Sequence, residues 1–142
     1  MIGGQVIDLQ SEGQDIDYDT LKTLHSLKTG KLFQAALRSG AILSNMNRQG
    51  LQSIDKYARS FGLAFQITDD ILDVNGNEAV IGKPAGSDAK NAKTTYPGLF
   101  GLEKSRQLAE DCVKACIDSL QDFGPEADFL RQLAYFTLER QN

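Results

Sequence analysis

Apolar residues at helical spacing constrain this chain more than any other feature. Leu21, Leu24, Leu27, Phe33, Ala36 and Leu37 form one stripe within a long helix expected over Tyr18 to Leu43. A second long pattern runs from Leu51 to Val74. Two more follow, at Leu102 to Phe123 and Pro125 to Arg140, and Gly4 to Ser11 reads as the end of another helix. Such spacing buries one face of a helix. No stretch alternates as a strand does, and nothing repeats. The fold class is therefore all-α, with helices packed antiparallel. Asp17 or Asp19 is placed to cap the helix that begins at Tyr18. Gly30 and Gly40 lower its propensity; they allow close packing, or Gly40 marks a break.

The 142 residues suffice for one domain with a core. A net charge of −4 supplies no basic field for nucleic acid, so none is expected as a partner. No apolar run reaches transmembrane length, and "MIGGQVIDLQ" is not a signal peptide, so a cytosolic protein is expected. Cys112 and Cys116, one helical turn apart, read as reduced thiols rather than a zinc or redox pair. No capping residue precedes the helical pattern at Gly3-Gly4, which suggests that something upstream is missing. From Asn75 to Gly101 the periodicity collapses into Gly, Asn and Lys, with two of the three prolines. Long irregular segments inside compact domains are usually functional or disordered.

"FQITDDILDV", Phe65 to Val74, sets three acids among large apolar residues. At about 100° per residue, Gln66, Asp69, Asp70 and Asp73 share an arc of about 100°. Phe61, Ala64, Phe65, Ile67, Ile71 and Leu72 cover most of the remainder. A helix apolar on most sides is buried, so the acids face a cavity. An ionised carboxylate there needs a compensating cation. Carboxylates one turn apart suit Mg²⁺, which completes its shell with water and substrate phosphates. The bland alternative is a solvated acidic stripe. "DVNGN" does not make an EF-hand, and "KTGKL" and "IGKPAG" do not make a P-loop.

Phosphates would call for cations nearby. "HSLKTGKLF" puts His25, Lys28 and Thr29 on one helix face. Lys83 in "GKPAGSD" and Lys93 in "NAKTTYP" add charge, and Gly82 and Gly86 allow close backbone approach to an anion. Asp88 is a further metal ligand or a partner for a lysine. Singly, each lysine is an ordinary surface charge and His25 a structural residue. Together these residues read as a Mg²⁺-diphosphate site that stabilises a leaving group.

The segments "GGQVIDL", "LHSLKTGKLF", "FGLAFQITDDILDV", "GKPAGSDAKNAKTTYP" and "TLERQN" occur here in that order. In them the chain resembles the trans-type polyprenyl diphosphate synthases, specifically the C-terminal part of the bacterial farnesyl type. The resemblance covers nearly the whole chain. It implies the C-terminal helices of an isoprenoid-synthase bundle. It also implies condensation of isopentenyl diphosphate with an allylic diphosphate, dimethylallyl or geranyl, to farnesyl diphosphate. By resemblance Asp69, Asp70 and Asp73 are the second aspartate-rich motif, with Asp69 binding Mg²⁺ directly, Asp70 and Asp73 binding it directly or through water, and Asp88 supporting the metal or the lysines. Lys28, Thr29, Gln66, Lys83 and Lys93 contact the allylic substrate, and Gln5 and Asp8 line the cavity near the reacting carbons. Lys28, Thr29, Gln66 and Asp69 are the expected catalytic set. Arg140 resembles the basic C-terminal tail, whose usual last basic residue is here Asn142.

The family's first aspartate-rich motif is not in these residues. Residues 1–142 are therefore expected to be the C-terminal portion of one synthase domain, inactive alone and homodimeric when complete. Geranylgeranyl or longer-chain synthesis, and a non-catalytic synthase-like subunit, are the alternatives.

Overall fold

The computed structural model describes residues 1–75 and 93–140. They form helices and short connections, and no strand occurs among them. The helices are α1 (Ile2–Gln10), α2 (Tyr18–His25), α3 (Lys31–Leu43), α4 (Arg48–Asn75), α5 (Tyr96–Phe100), α6 (Leu102–Ser119) and α7 (Asp128–Glu139). A π-helical turn, Ser26–Gly30, joins α2 to α3, and a 3₁₀ turn, Pro125–Ala127, precedes α7.

Helix α4 is the axis of the fold. It packs most extensively on α6 and next on α3. Around its first half lies a core containing Ile54, Tyr57, Phe61, Val113, Cys116 and Leu120. Tyr57 is fully buried; its ring stacks on Phe61 at 5.7 Å and its hydroxyl donates to the Leu130 carbonyl at 2.7 Å. A second core, of Leu21, Ile67, Tyr96 and Ala109, lies beside the acids of α4. Burial raises both cysteine thiols, Cys112 to about 11 and Cys116 to about 12, so both are inert.

The expected helices are present, with three differences. The run from Tyr18 to Leu43 is continuous but changes pitch at Ser26–Gly30. It passes Gly40 without a break. Gly30 instead serves close packing: a Cβ on Gly62 of α4 would stand 3.0 Å from the Gly30 Cα. Second, α5 interrupts the segment expected to be irregular. Thr95 caps it by accepting the Gly98 N–H, and Pro97 sits in its first turn, where a missing N–H costs nothing. Third, α6 stops at Ser119, before Phe123. Asp17 is the α2 cap, accepting from Thr20 N at 2.8 Å.

Candidate active site

Helix α1 enters the site because Gly4 has no side chain. A Cβ there would meet Lys28 N at 2.2 Å, so α1 lies against the π turn backbone to backbone. One helical turn on, Asp8 is buried at 6% exposure. Its Oδ2 receives Lys28 Nζ at 2.6 Å and Lys93 Nζ at 3.1 Å, and its Oδ1 receives Lys93 at 3.3 Å. Burial alone would raise the Asp8 carboxyl; the hydrogen bonds and charges of the two lysines outweigh it and hold it below the usual range. Asp8 therefore gathers two cations from distant parts of the chain.

The π turn carries Lys28 and Thr29. Such turns insert an extra residue and recur at functional positions. Thr29 Oγ1 donates to Gln66 Oε1 of α4 at 2.6 Å, which fixes the orientation of the Gln66 amide. His25 precedes the turn, buried against Tyr96 with ring centroids 5.6 Å apart. Burial, then the charge of Lys28, depress its imidazole to about 4, against a smaller opposing effect of Asp8. His25 is neutral at pH 7.

The three acids of α4 are not equivalent. Asp69 keeps 39% of its side chain exposed. Asp70 and Asp73 are buried, at 4% and 2%. Asp70 Oδ2 accepts the backbone N–H of Tyr96 at 3.0 Å. Arg140 closes the other side of this turn. Its guanidinium lies 4.1 Å from the Phe65 ring centre, donates to Phe65 O and Thr68 Oγ1 at 2.9 and 3.1 Å, and stands 3.9 Å from Asp69.

A cavity of about 80 Å³ unites most of these groups. Asp8, His25, Lys28, Gln66, Asp69, Asp70 and Lys93 line it. Of the expected site residues, Thr29 sits just behind it through Gln66. Asp73 is one turn further along α4, and Gln5 is exposed on α1 away from the lining. Lys83, Asp88, Gly82, Gly86 and Asn142 lie outside the described residues. Sequence reasoning missed Tyr96 and Thr94 as anchors. Thr94 Oγ1 donates to Gln14 O at 3.2 Å and accepts from Ile16 N at 3.3 Å. Their signal was the run "KTTYP", in which three of the first four residues can reach a distant chain segment.

Among the described residues, no three acidic, histidine or cysteine side chains converge to enclose an ion unaided. Mg²⁺ is commonly held by one or two carboxylates plus phosphates and water. The chemistry of the donors fits: Asp69 offers a hard oxygen at the cavity, and two lysines stand ready for phosphate.

The sequence model of the polyprenyl synthetase family matches residues 1–133. The chain belongs to the polyprenyl synthetase family. It is 42% identical over 144 residues to the farnesyl diphosphate synthase of Escherichia coli K12, covering 99% of this chain and 48% of that protein. It is 41% identical over 143 residues to the geranylgeranyl diphosphate synthase of Cyanophora paradoxa, covering 100% and 48%. A geranyltransferase of Helicobacter pylori, solved as a complex with magnesium and isoprenyl diphosphate, superposes with a TM-score of 0.80 at 29% identity. That superposition covers 98% of this chain and 46% of the other. The chain thus spans about half the length of the polyprenyl synthetases it matches, and its helices are those of the all-α fold of that family.

Proposed function

We propose that this chain furnishes the diphosphate-binding half of a Mg²⁺-dependent prenyltransferase that joins isopentenyl diphosphate to an allylic diphosphate, giving farnesyl diphosphate. The observation that carries the reading is the cavity where Asp69, Lys28 and Lys93 meet. A bound Mg²⁺ would be held by Asp69 and by substrate phosphate, and would neutralise charge on the diphosphate.

The chain's own residues supply the rest. In the reaction the allylic C–O bond breaks and its electron pair leaves on the diphosphate. Lys28 and Lys93 are placed to take up that growing negative charge without first reorganising, because Asp8 already holds both ammonium groups. Thr29 donates its hydroxyl hydrogen bond to Gln66, which leaves the lone pairs of its oxygen free to face a developing allylic cation. Neutral His25 adds no charge that would oppose that cation. The isopentenyl double bond then attacks the allylic carbon, forming a C–C bond, and the adduct loses a proton to the departed diphosphate. Within that reading, Gln5, Lys83, Asp73 and Asp88 keep the binding and metal roles that the resemblance implies, and the complete protein is a cytosolic homodimer.

The test is isothermal titration of pyrophosphate into this chain with and without Mg²⁺. Binding is expected only with the metal, and Asp69→Ala should weaken it at least tenfold at unchanged circular dichroism. Metal-independent affinity, or an Asp69→Ala variant that binds normally, would overturn the reading. The chain alone should give no prenyl product from labelled isopentenyl diphosphate. Relatives that make farnesyl and geranylgeranyl products match almost equally well. Product length is therefore decided by chromatography of the complete enzyme's product.

A further inference from the structure

We infer that Asp70 is a positioning residue rather than a metal ligand: it holds the segment that delivers Lys93 to the diphosphate site. The inference rests on the proposed diphosphate site above.

Four consecutive residues, Lys93 to Tyr96, are each tied down. Lys93 reaches Asp8, Thr94 bridges Gln14 and Ile16, and Thr95 caps α5. Tyr96 donates its backbone N–H to Asp70 Oδ2 at 3.0 Å. Tyr96 is itself fully buried, its ring set edge-on to His25 and Tyr18. Its N–H is one of the first donors of α5, which have no partner within the helix. A buried N–H without an acceptor is costly, so Asp70 answers a need that exists whether or not an ion is bound. Both acids line the cavity, but Asp69 keeps 39% of its side chain exposed whereas Asp70 is buried. Adjacent acids of one motif thus divide the work. One meets the ligand, and the other fixes the chain three residues after Lys93.

Two substitutions separate the roles. Asn at position 70 keeps an oxygen for the Tyr96 N–H but removes the negative charge; Ala removes both. Amide hydrogen exchange at Tyr96, the NMR signal of the Lys93 ammonium, and Mg²⁺-pyrophosphate affinity are read on the same samples. For Asp70→Asn we expect Tyr96 protection retained and affinity within threefold of the parent. For Asp70→Ala we expect Tyr96 exchange faster by at least tenfold, the Lys93 signal lost and affinity down at least tenfold. An Asp70→Asn variant that keeps Tyr96 protected yet loses tenfold in affinity would make the charge a ligand and overturn the inference. So would an Asp70→Ala variant with Tyr96 and Lys93 unchanged. Should the Ala variant not fold, the Asn variant alone decides. Should the parent bind no Mg²⁺-pyrophosphate, the functional reading falls, and the Tyr96 and Lys93 signals of the Ala variant still decide the role of Asp70.

Discussion

His25 shows how much one buried side chain can govern. The unfolded chain takes up a proton on His25 near pH 6.5, whereas the folded chain holds out until about 4. Between those values the unfolded state binds more protons, so stability falls as pH falls. The full loss is roughly 3 kcal/mol for a shift of this size. Urea midpoints measured from pH 7 to pH 4 should therefore decline, and His25→Gln should flatten the decline. Asp8 adds a second, more acidic limb. Its carboxyl lies below the usual range when folded, so its contribution is present above that range and is lost as pH drops through the lowered value. Tyr57 offers a test at constant pH. Tyr57→Phe removes the donor to Leu130 O, a carbonyl within α7, at a cost of about 1 kcal/mol in chemical denaturation. Single residues of the site were the most legible part of the sequence. The spacing of Gln66, Asp69, Asp70 and Asp73 put them on one face; the cavity lining contains the first three and not Asp73. What spacing could not tell was their different burial, because that depends on Tyr96, which is distant in sequence.

Elements were legible to the extent that they are regular. The pattern at Leu51 to Val74 gave α4 nearly in full, since its apolar positions repeat for many turns. The π turn was not legible: an inserted residue leaves the apolar stripe readable on both sides, and "SLKTG" contains nothing that α-helix forbids. Helix α5 was hidden for the opposite reason. It is a single turn, created by Thr95 and Pro97 rather than by periodicity. The end of α6 is fixed by a side chain of the next helix. Arg131 donates to the carbonyls of Leu120, Phe123 and Gly124 at 2.8, 2.6 and 2.9 Å, tying down the turn that follows α6. Arg131→Met should cost roughly 2 kcal/mol, read as a shift in thermal midpoint. Gly4→Ala tests the seat of α1. The added carbon has nowhere to go but into the Lys28 backbone, so roughly 1–3 kcal/mol of stability should be lost.

At the scale of the molecule, the surface is unusually apolar along certain helices. Ile2, Val6 and Leu9 expose one stripe of α1, and Phe129 and Phe136 are more than half exposed on α7. Stripes of this kind drive association. Sedimentation velocity should show the chain self-associating as concentration rises, and Ile2→Lys with Leu9→Lys should suppress it without loss of helicity. No helix among the described residues is long and apolar enough to cross a membrane. The fold class was read from the absence of strand alternation. The arrangement of helices was not, because amphipathic stripes say which face is buried and not which neighbour buries it.

The turn at Ser26–Gly30 also sets rotational phase. One residue more than an α-turn needs lies between the face that α2 turns towards Tyr96 and the face that α3 turns towards Phe61. Deleting any one residue there would let the helix run through as regular α. Helix α3 would keep its phase, because the wide turn already absorbs the extra residue, so Phe33 would stay on Phe61 and only Lys28 and Thr29 within the turn would shift. A change of identity within this turn and a change of its length are thus different kinds of event. The chain can absorb the first at several positions. A single-codon deletion should here leave both cores packed but displace Lys28 and Thr29, read as a thermal midpoint close to the parent's with weakened Mg²⁺-pyrophosphate binding.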